Sequence, residues 1–485
     1  MHLQIQTLSL NDNSRSLPAE SIVPSSQEVC DSILLIWREE PASEDYELEE
    51  LLKVVKERHG EWKLSVESLR KLLQSHSLYA SDEKKLQIYS DKVRVPEMEE
   101  DKVKLPRNVK VGFISGNKQR GLFATHDLKA GDMIFEDLPL AVVPPMDKLV
   151  LMQSGKACPL CGSSVNHSQH TIIMNGLDCG ECGAVWCSKN CKKNDLTHTT
   201  LRHTRSRCKQ INLNGWKKYE SFCKQHVFVA AYSLGIIYAC MVLEKNGKNS
   251  VCPKFQVLAE VSQRIRKKSS DSTNLGGTLD VSSGAFTSED PEPVWTEAFS
   301  LFKEAFPDFD DIDMETYLNC IGKFNINQIS GQIFPVFSFI NHDCEPNVRY
   351  EIDDKLRLKL YARKPIKKGE ELLTTYVNPL HGVKLRRREL RVNWGFLCQC
   401  DRCNRELAKR KEKLISPTPS AHHSPANSFS DKTRRKSSMR NARPDLHELL
   451  KNGQEFDLEI PDTLEAHHRK TSVRFDNNVS VAVEE

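Results

Sequence analysis

The feature that most restricts this chain is a block of cysteines and histidines between Cys158 and Cys208. Cys158-x2-Cys161, Cys179-x2-Cys182 and Cys187-x3-Cys191 are followed by His198, His203 and Cys208. Two residues between cysteines let both thiolates reach one tetrahedral zinc without strain. Six thiolates and two later ligands make two zinc sites, and no open coordination position is evident, so both are expected to be structural. His198 and His203 are favoured as the last two ligands, with Cys208 as the substitute. A segment this poor in apolar residues needs the metal to fold. The chain holds 16 cysteines, which would suit a secreted disulfide protein. Met1 to Ser25, however, is polar and lacks the apolar core of a signal peptide, and cysteines of a reducing compartment are more often metal ligands or core residues.

The 485 residues allow two to four domains and carry a formal charge of +3, too balanced to announce nucleic-acid binding. Charge is local. The segment from Glu39 to Glu50 is strongly acidic and Lys432 to Lys436 strongly basic, so patches would carry any electrostatic recognition. Val227 to Leu243 is an apolar run, but it falls short of the roughly 20 residues of a spanning helix. It is expected to be a buried helix, with no membrane involved. Upstream, apolar stripes at Ile33, Leu34, Ile36 and Trp37, at Leu48, Leu51, Leu52, Val54 and Val55, and at Leu69, Leu72 and Leu73 predict three short helices. A packing or partner-binding bundle is preferred for them over a winged-helix-like module. Strand-like runs at Val109–Phe113 and Met133–Phe135, with a turn at Asp127–Asp132, resume at Phe334 and run to Tyr376. Between them lie the Cys/His block and a mainly helical stretch from Trp216 to Phe324, which contains a Ser/Gly/Asp-rich loop from Ser269 to Ser288.

A second cysteine group, Cys398-x-Cys400-x2-Cys403, directly follows Trp394 and Phe396. Three closely spaced cysteines need a fourth ligand. Cys344, within Asn341-His342-Asp343-Cys344-Glu345-Pro346-Asn347, can supply it, which predicts a third structural zinc.

The pieces Arg120-Gly121-Leu122-Phe123-Ala124, Leu128-x-x-Gly131, Asn341–Asn347 and Gly369-Glu370-Glu371 through Thr374-Thr375-Tyr376 stand in the order expected of a SET domain. The Cys/His block between them resembles a MYND zinc finger. From Val109 to Asn404 the chain therefore resembles SET-and-MYND type protein lysine methyltransferases. The stretch Asn378–Val383 through Arg386–Arg391 and into Cys403 is most like their fungal histone-methylating branch. The resemblance implies an α+β fold: a β-rich SET domain split by the finger and a helical insertion, with a post-SET zinc segment and flanking helical and disordered regions. The implied boundaries are a flexible N-terminus over 1–27, a helical region over 28–107, the first SET part over 108–157 and the finger over 158–208. The helical insertion follows over 209–325, the second SET part over 326–376, post-SET over 377–404 and a mostly disordered basic, Ser-rich tail over 405–485.

The resemblance also implies chemistry. S-adenosylmethionine would be the methyl donor, with Arg120, Gly121, Asn325, Asn341, His342, Tyr376 and Phe396 around it and Tyr376 as the catalytic tyrosine. One finger zinc would take Cys158, Cys161, Cys187 and Cys191, and the other Cys179, Cys182 and the two histidines. Two departures from the finger pattern are the long gap between Cys161 and Cys179 and His203 in place of the usual final Cys. The substrate implied is a lysine of a histone tail, that of histone four favoured, or another basic protein tail. The protein would be a monomer in the nucleus, on chromatin, and also in the cytoplasm; direct DNA binding is left open. A catalytically weak adaptor and a methyltransferase for non-histone proteins are the alternatives. Only a neutral lysine amine is nucleophilic, and an unperturbed lysine titrates near roughly 10.4, so the site must desolvate the ammonium and let a proton leave. In the tail, Arg434–Ser438 and Arg469–Ser472 place hydroxyls after basic residues, as basophilic kinases prefer. Lys470–Phe475 resembles a phosphatase-docking motif, and the basic stretch from Lys432 fits nuclear import.

Overall fold

The strand-like runs on either side of the cysteine block pair with one another across it. In the computed structural model, Met133–Asp137 lies antiparallel to Leu358–Ala362, which pairs in turn with Val348–Ile352. Leu358, Leu360 and Ala362 alternate inward and are buried, as the period of two in a strand requires. Val109–Ile114 and Gln119–Ala124 form a hairpin, and Phe123 bridges to Glu371. The turn expected at Asp127–Asp132 closes with Lys129 N donating to Asp132 Oδ2 at 2.7 Å and Gly131 at φ +88°. A short hairpin, Gln328–Ile329 with Gln332–Ile333, turns at Ser330 and Gly331, both at positive φ, the twist that two-residue hairpins favour. The described residues are 4–9, 22–75, 78, 86, 88–97, 102–114, 119–203, 208, 210–244, 251–269, 291–309, 311–415 and 478–483.

The helical insertion shares one apolar core with these sheets. Its centre is the helix Val229–Leu243, apolar on every side and buried from Ala230 to Cys240. Gly235 lets it close on Trp216 and Tyr219; a Cβ there would stand 2.7 Å from the Trp216 ring. No helix among the described residues is long and apolar enough to cross a membrane.

The three upstream stripes form the helices Ser26–Glu39, Leu48–Arg58 and Val66–Ser75. Ser25 and Glu28 make a reciprocal capping box, and Ser65 accepts from Ser68 N at 3.1 Å. Their shared core includes Leu385, from the helix Val383–Trp394 more than three hundred residues later.

Two expectations change. The N-terminal segment expected to be flexible over 1–27 is ordered from Ile22, which exchanges backbone hydrogen bonds with the Glu61–Lys63 stretch. The tail expected to be disordered from 405 begins instead as the helix Asp401–Ile415, held by Glu406 on Arg386 and Arg402 and by Arg410 on Glu44. The acidic segment is not all solvated surface: Glu44 is 1% exposed. The Ser269–Ser288 loop beyond residue 269 and the tail motifs from Lys432 to Phe475 lie outside the described residues.

Contacts separate Ser21–Ser416 from a second unit made of Met1–Glu20 and Pro417–Glu485. Within that second unit Gln4–Ser9 runs antiparallel to Asn478–Val483, Gln4 opposite Val483.

Candidate active site and zinc centres

The cysteines of the Cys158–Cys191 block sit on tight backbone turns. Gly162 N donates to Cys158 O at 2.9 Å, and Gly162 takes φ +73°, so Cys158 and Cys161 present their sulfurs together. Cys179 N donates to Ala184 O at 2.9 Å in a second such turn. Ser188 caps the helix Lys189–Asn194 through Cys191 N. The resulting sets interleave along the chain: Cys158, Cys161, Cys187 and Cys191 in one, Cys179, Cys182, His198 and His203 in the other. In each, all four ligand atoms lie within 4.8 Å of one another. Cys208 stands outside both, packed at the edge of the main core. The long gap after Cys161 is occupied by the helix Gln169–Asn175, capped by Ser168 and ended by Gly176. Inserted length has been folded outside the ligand turns.

A third set joins Cys344 to Cys398, Cys400 and Cys403, again within 4.8 Å. Cys344 Sγ is 3.5 Å from Cys403 Sγ and 3.9 Å from Cys398 Sγ. Four sulfurs or two sulfurs and two imidazoles at these separations are the donor chemistry of structural zinc. Arg386, fully buried, donates through Nη2 to Cys403 Sγ at 3.7 Å and to Glu406 at 2.8 Å. Its charge would offset that of a four-thiolate cluster, a position the Arg386-Arg387-Arg388 run did not announce.

The segment Asn341–Asn347 runs alongside Glu371–Tyr376. Asn341–His342 pairs in parallel with Leu373–Thr374, and Asn347 donates to Glu371 O at 2.8 Å and accepts from Leu373 N at 2.7 Å. Asn341 Nδ2 donates to Arg120 O at 2.7 Å and to Glu371 Oε1 at 2.8 Å. Gly121 fits beside them because it has no side chain; a Cβ would stand 3.0 Å from Glu371 Oε1 and 3.1 Å from Asn341 Nδ2. Arg120 is buried, its guanidinium 4.2 Å above the Phe339 ring, and burial lowers it to about 10. Thus Asn341 and Arg120 spend their side chains on the framework, and Glu371 positions Asn341 through its carboxylate.

His342 is likewise engaged at both ring nitrogens. Nδ1 accepts from Tyr376 N at 3.0 Å, and Nε2 lies 3.3 Å from Cys344 Sγ. Because Nδ1 accepts a backbone N–H, the proton of a neutral ring sits on Nε2 and points to the sulfur. The imidazole therefore links the Cys344 cluster to the backbone of Tyr376. Any cofactor contact from His342 is left to its backbone or ring face.

Tyr376 is half-buried. Its hydroxyl donates to Ile340 O at 2.7 Å, and its ring lies 5.0 Å from Trp394 and 5.3 Å from His342. Burial first, and the Glu371 carboxylate second, push its hydroxyl well above the usual phenol range, so it stays protonated. Phe396 lies 6.0 Å from His342, and Trp394 Nε1 donates to Ile326 O at 3.2 Å. Asn325 is 1% exposed; Nδ2 donates to Gln263 at 3.1 Å, while Oδ1 has no partner. Arg120, Gly121, Asn341, His342, Tyr376 and Phe396 form one connected group, and Asn325 stands on the helix that Trp394 contacts.

Comparison with known proteins follows the same outline. The family model described as SET domain matches residues 119–377. Proteins described as Histone-lysine N-methyltransferase SET5 align along the whole chain. That of Candida glabrata is 46% identical, covering 100% of this chain and 99% of the relative. That of Vanderwaltozyma polyspora is 48% identical and that of Saccharomyces cerevisiae (strain YJM789) 42%, each covering 100% of both chains. Among solved structures, the SET domain of LSMT bound to lysine and AdoHcy is similar at 12% identity and a TM-score of 0.25, covering 61% of this chain and 54% of that one.

Proposed function

The chain belongs to the SET-domain histone-lysine N-methyltransferases, and on that premise we propose that it methylates lysines of histone tails, those of histone four first, with S-adenosylmethionine as donor. We further propose the partition into a SET domain split by a MYND-type finger and a helical insertion, closed by a post-SET segment, with one zinc in each of the three ligand sets.

The observation that carries the proposal is the seat of Tyr376. Its O–H proton is committed to Ile340 O, so its lone pairs face outward as acceptors. Such an oxygen orients an incoming lysine by accepting from its amine. The neighbouring Trp394 ring desolvates an ammonium, which lowers the pKa of a lysine and favours its nucleophilic neutral form. S-adenosylmethionine supplies the methyl group, on a sulfonium that makes it electrophilic. The residues present fit that ligand: the orphaned Oδ1 of buried Asn325 calls for a donor. Arg120, Gly121, Asn325, Asn341, His342 and Phe396 would hold it.

Zinc in the third set would fix Cys344, and through it His342 and the Tyr376 backbone. In the finger, zinc would fold a segment whose own apolar cluster is limited to Cys158, Leu160 and Trp186 with a few half-buried neighbours. A histone substrate would put the protein at chromatin in the nucleus. The proposal is tested by methyl transfer to separated histones and to total cytosolic protein. Labelled histone four is expected; label confined to cytosolic proteins would overturn the substrate while leaving the enzyme.

A further inference from the structure

Three stretches distant in sequence surround the proposed cofactor position: Arg120-Gly121, the helix carrying Asn325, and the Trp394-Gly395-Phe396 exit of the post-SET helix. One short segment of the N-terminal region, Ile88 to Glu97, touches the first and the last directly and reaches the second through Glu260.

At the post-SET end, Tyr89 is fully buried. Its backbone N–H and that of Ser90 both donate to Gly395 O, at 2.9 and 3.1 Å, and its hydroxyl donates to Val392 O at 3.2 Å. Gly395 ends the helix Val383–Trp394 in the left-handed conformation, φ +81°, and a Cβ there would stand 2.5 Å from the Tyr89 ring. The direction in which the chain leaves that helix is set at this residue. Phe396 and the Cys398–Cys403 ligands follow immediately, and Trp394, on Tyr376, precedes it.

In the middle, Arg94 and Glu260 exchange two backbone hydrogen bonds, at 2.8 and 2.9 Å, and an ion pair at 2.6 Å. Glu260 also pairs with Lys323 at 2.8 Å, two residues from Asn325. At the far end, Arg120 Nη1 donates to Pro96 O at 3.2 Å.

We infer that the Ile88–Glu97 segment is a strap that positions the cofactor walls of the methyl-transfer site, with Tyr89 as its principal positioning residue. Tyr89 touches no reacting group. It fixes Gly395 O and the ring-on-glycine contact, and so determines where Phe396 and Trp394 stand relative to His342 and Tyr376. The inference rests on the reading of Arg120-Gly121, Asn325 and Phe396 as cofactor walls.

The test uses the full-length, zinc-loaded chain. Tyr89→Ala and Tyr89→Phe are compared with wild type for direct binding of labelled S-adenosylmethionine and for KM and kcat. Zinc content and the circular dichroism spectrum are measured alongside. Tyr89→Ala is expected to raise Kd and KM for S-adenosylmethionine about 10-fold, on the order of one lost packing anchor. Zinc content is kept, and kcat falls less than KM rises. Tyr89→Phe, which retains the ring on Gly395, should recover binding to within about 3-fold of wild type, the scale of one neutral hydrogen bond. A folded, fully zinc-loaded Tyr89→Ala protein with wild-type Kd would overturn the strap. If Tyr89→Ala does not fold, hydrogen exchange in the wild type decides. Saturating S-adenosylhomocysteine should slow exchange of the Tyr89, Ser90 and Arg94 amides several-fold, and unchanged exchange overturns the inference. Failure of the wild type to bind either ligand would instead sink the methyltransferase site reading on which the strap rests.

Discussion

Replacing Glu44 should destabilise the catalytic end of the molecule although it lies in the N-terminal region. Its carboxylate sits at the start of the helix Val383–Trp394, accepting from Lys384 N at 3.0 Å and Leu385 N at 2.9 Å. It also pairs with Arg410 at 2.8 Å, from the helix that carries Cys403. Gly382 leaves room for it, since a Cβ there would fall on the carboxylate. Glu44→Ala strands the buried amide of Leu385 and the part-buried amide of Lys384, the buried one costing about 1–3 kcal/mol when unsatisfied and the other less. Arg410 retains Asp45 through Nε at 3.0 Å, which limits the loss on its side. The total expected is about 3–5 kcal/mol, the range for removing one partner of a buried charge. Glu44→Gln keeps one acceptor oxygen and should lose about half as much. Denaturant unfolding of the full chain, followed by Trp fluorescence, reads the loss as a lower midpoint. Glu49→Ala, at an exposed position of the same acidic segment, serves as control. A loss for Glu44→Ala below about 1 kcal/mol, no larger than surface changes give, would refute the helix-capping role.

Cys344→Ser should reduce bound zinc from three ions to two, one for each intact ligand set, measured by elemental analysis. S-adenosylmethionine binding should weaken with it, because the His342 ring loses its sulfur partner; three retained zincs would contradict the ligand assignment. Asp137, buried and accepting from Val336 N and Phe337 N, is raised by burial from 3.8 to about 6. Its folded pKa lies above the unfolded one, so it favours the native state fully below pH ~4 and loses that contribution as pH rises to ~6, by up to about 3 kcal/mol. Asp137→Asn, whose amide oxygen can accept both N–H groups, should flatten the stability profile over that interval, and an unchanged slope would count against it.

The three ligand sets were legible in the sequence because thiolate spacing is local chemistry: Cys158-x2-Cys161 can offer both sulfurs to one metal whatever the surrounding fold. Tyr376 and Asn341–Asn347 were legible through their order along the chain, not through any one residue. The buried run Val229–Leu243 was legible by length and composition. Glu44, Tyr89 and Arg386 were not. Each is an ordinary residue in its own neighbourhood, an acid among acids, a tyrosine in a polar stretch, an arginine among arginines. Their importance comes from partners hundreds of residues away for Glu44 and Tyr89, and from a cysteine cluster closed by Cys344 for Arg386. The helix Asp401–Ile415 was hidden for a similar reason. Its composition is that of a solvated tail, and its order comes from Glu44, Arg386 and Arg402. The motif points His342 to the cofactor but does not show that its ring also joins the Cys344 cluster to the backbone of Tyr376.

The central claim is that this chain transfers methyl groups to lysine with Tyr376 orienting the amine. Transfer of labelled methyl from S-adenosylmethionine to separated histones, by wild type and by Tyr376→Phe with equal zinc content, tests it most directly. Wild type should label lysine on histone four, and Tyr376→Phe should do so about 10²-fold more slowly, the scale of a misplaced reacting group. Transfer by Tyr376→Phe to the same lysines at the wild-type rate, or no transfer to any protein by wild type, would contradict it.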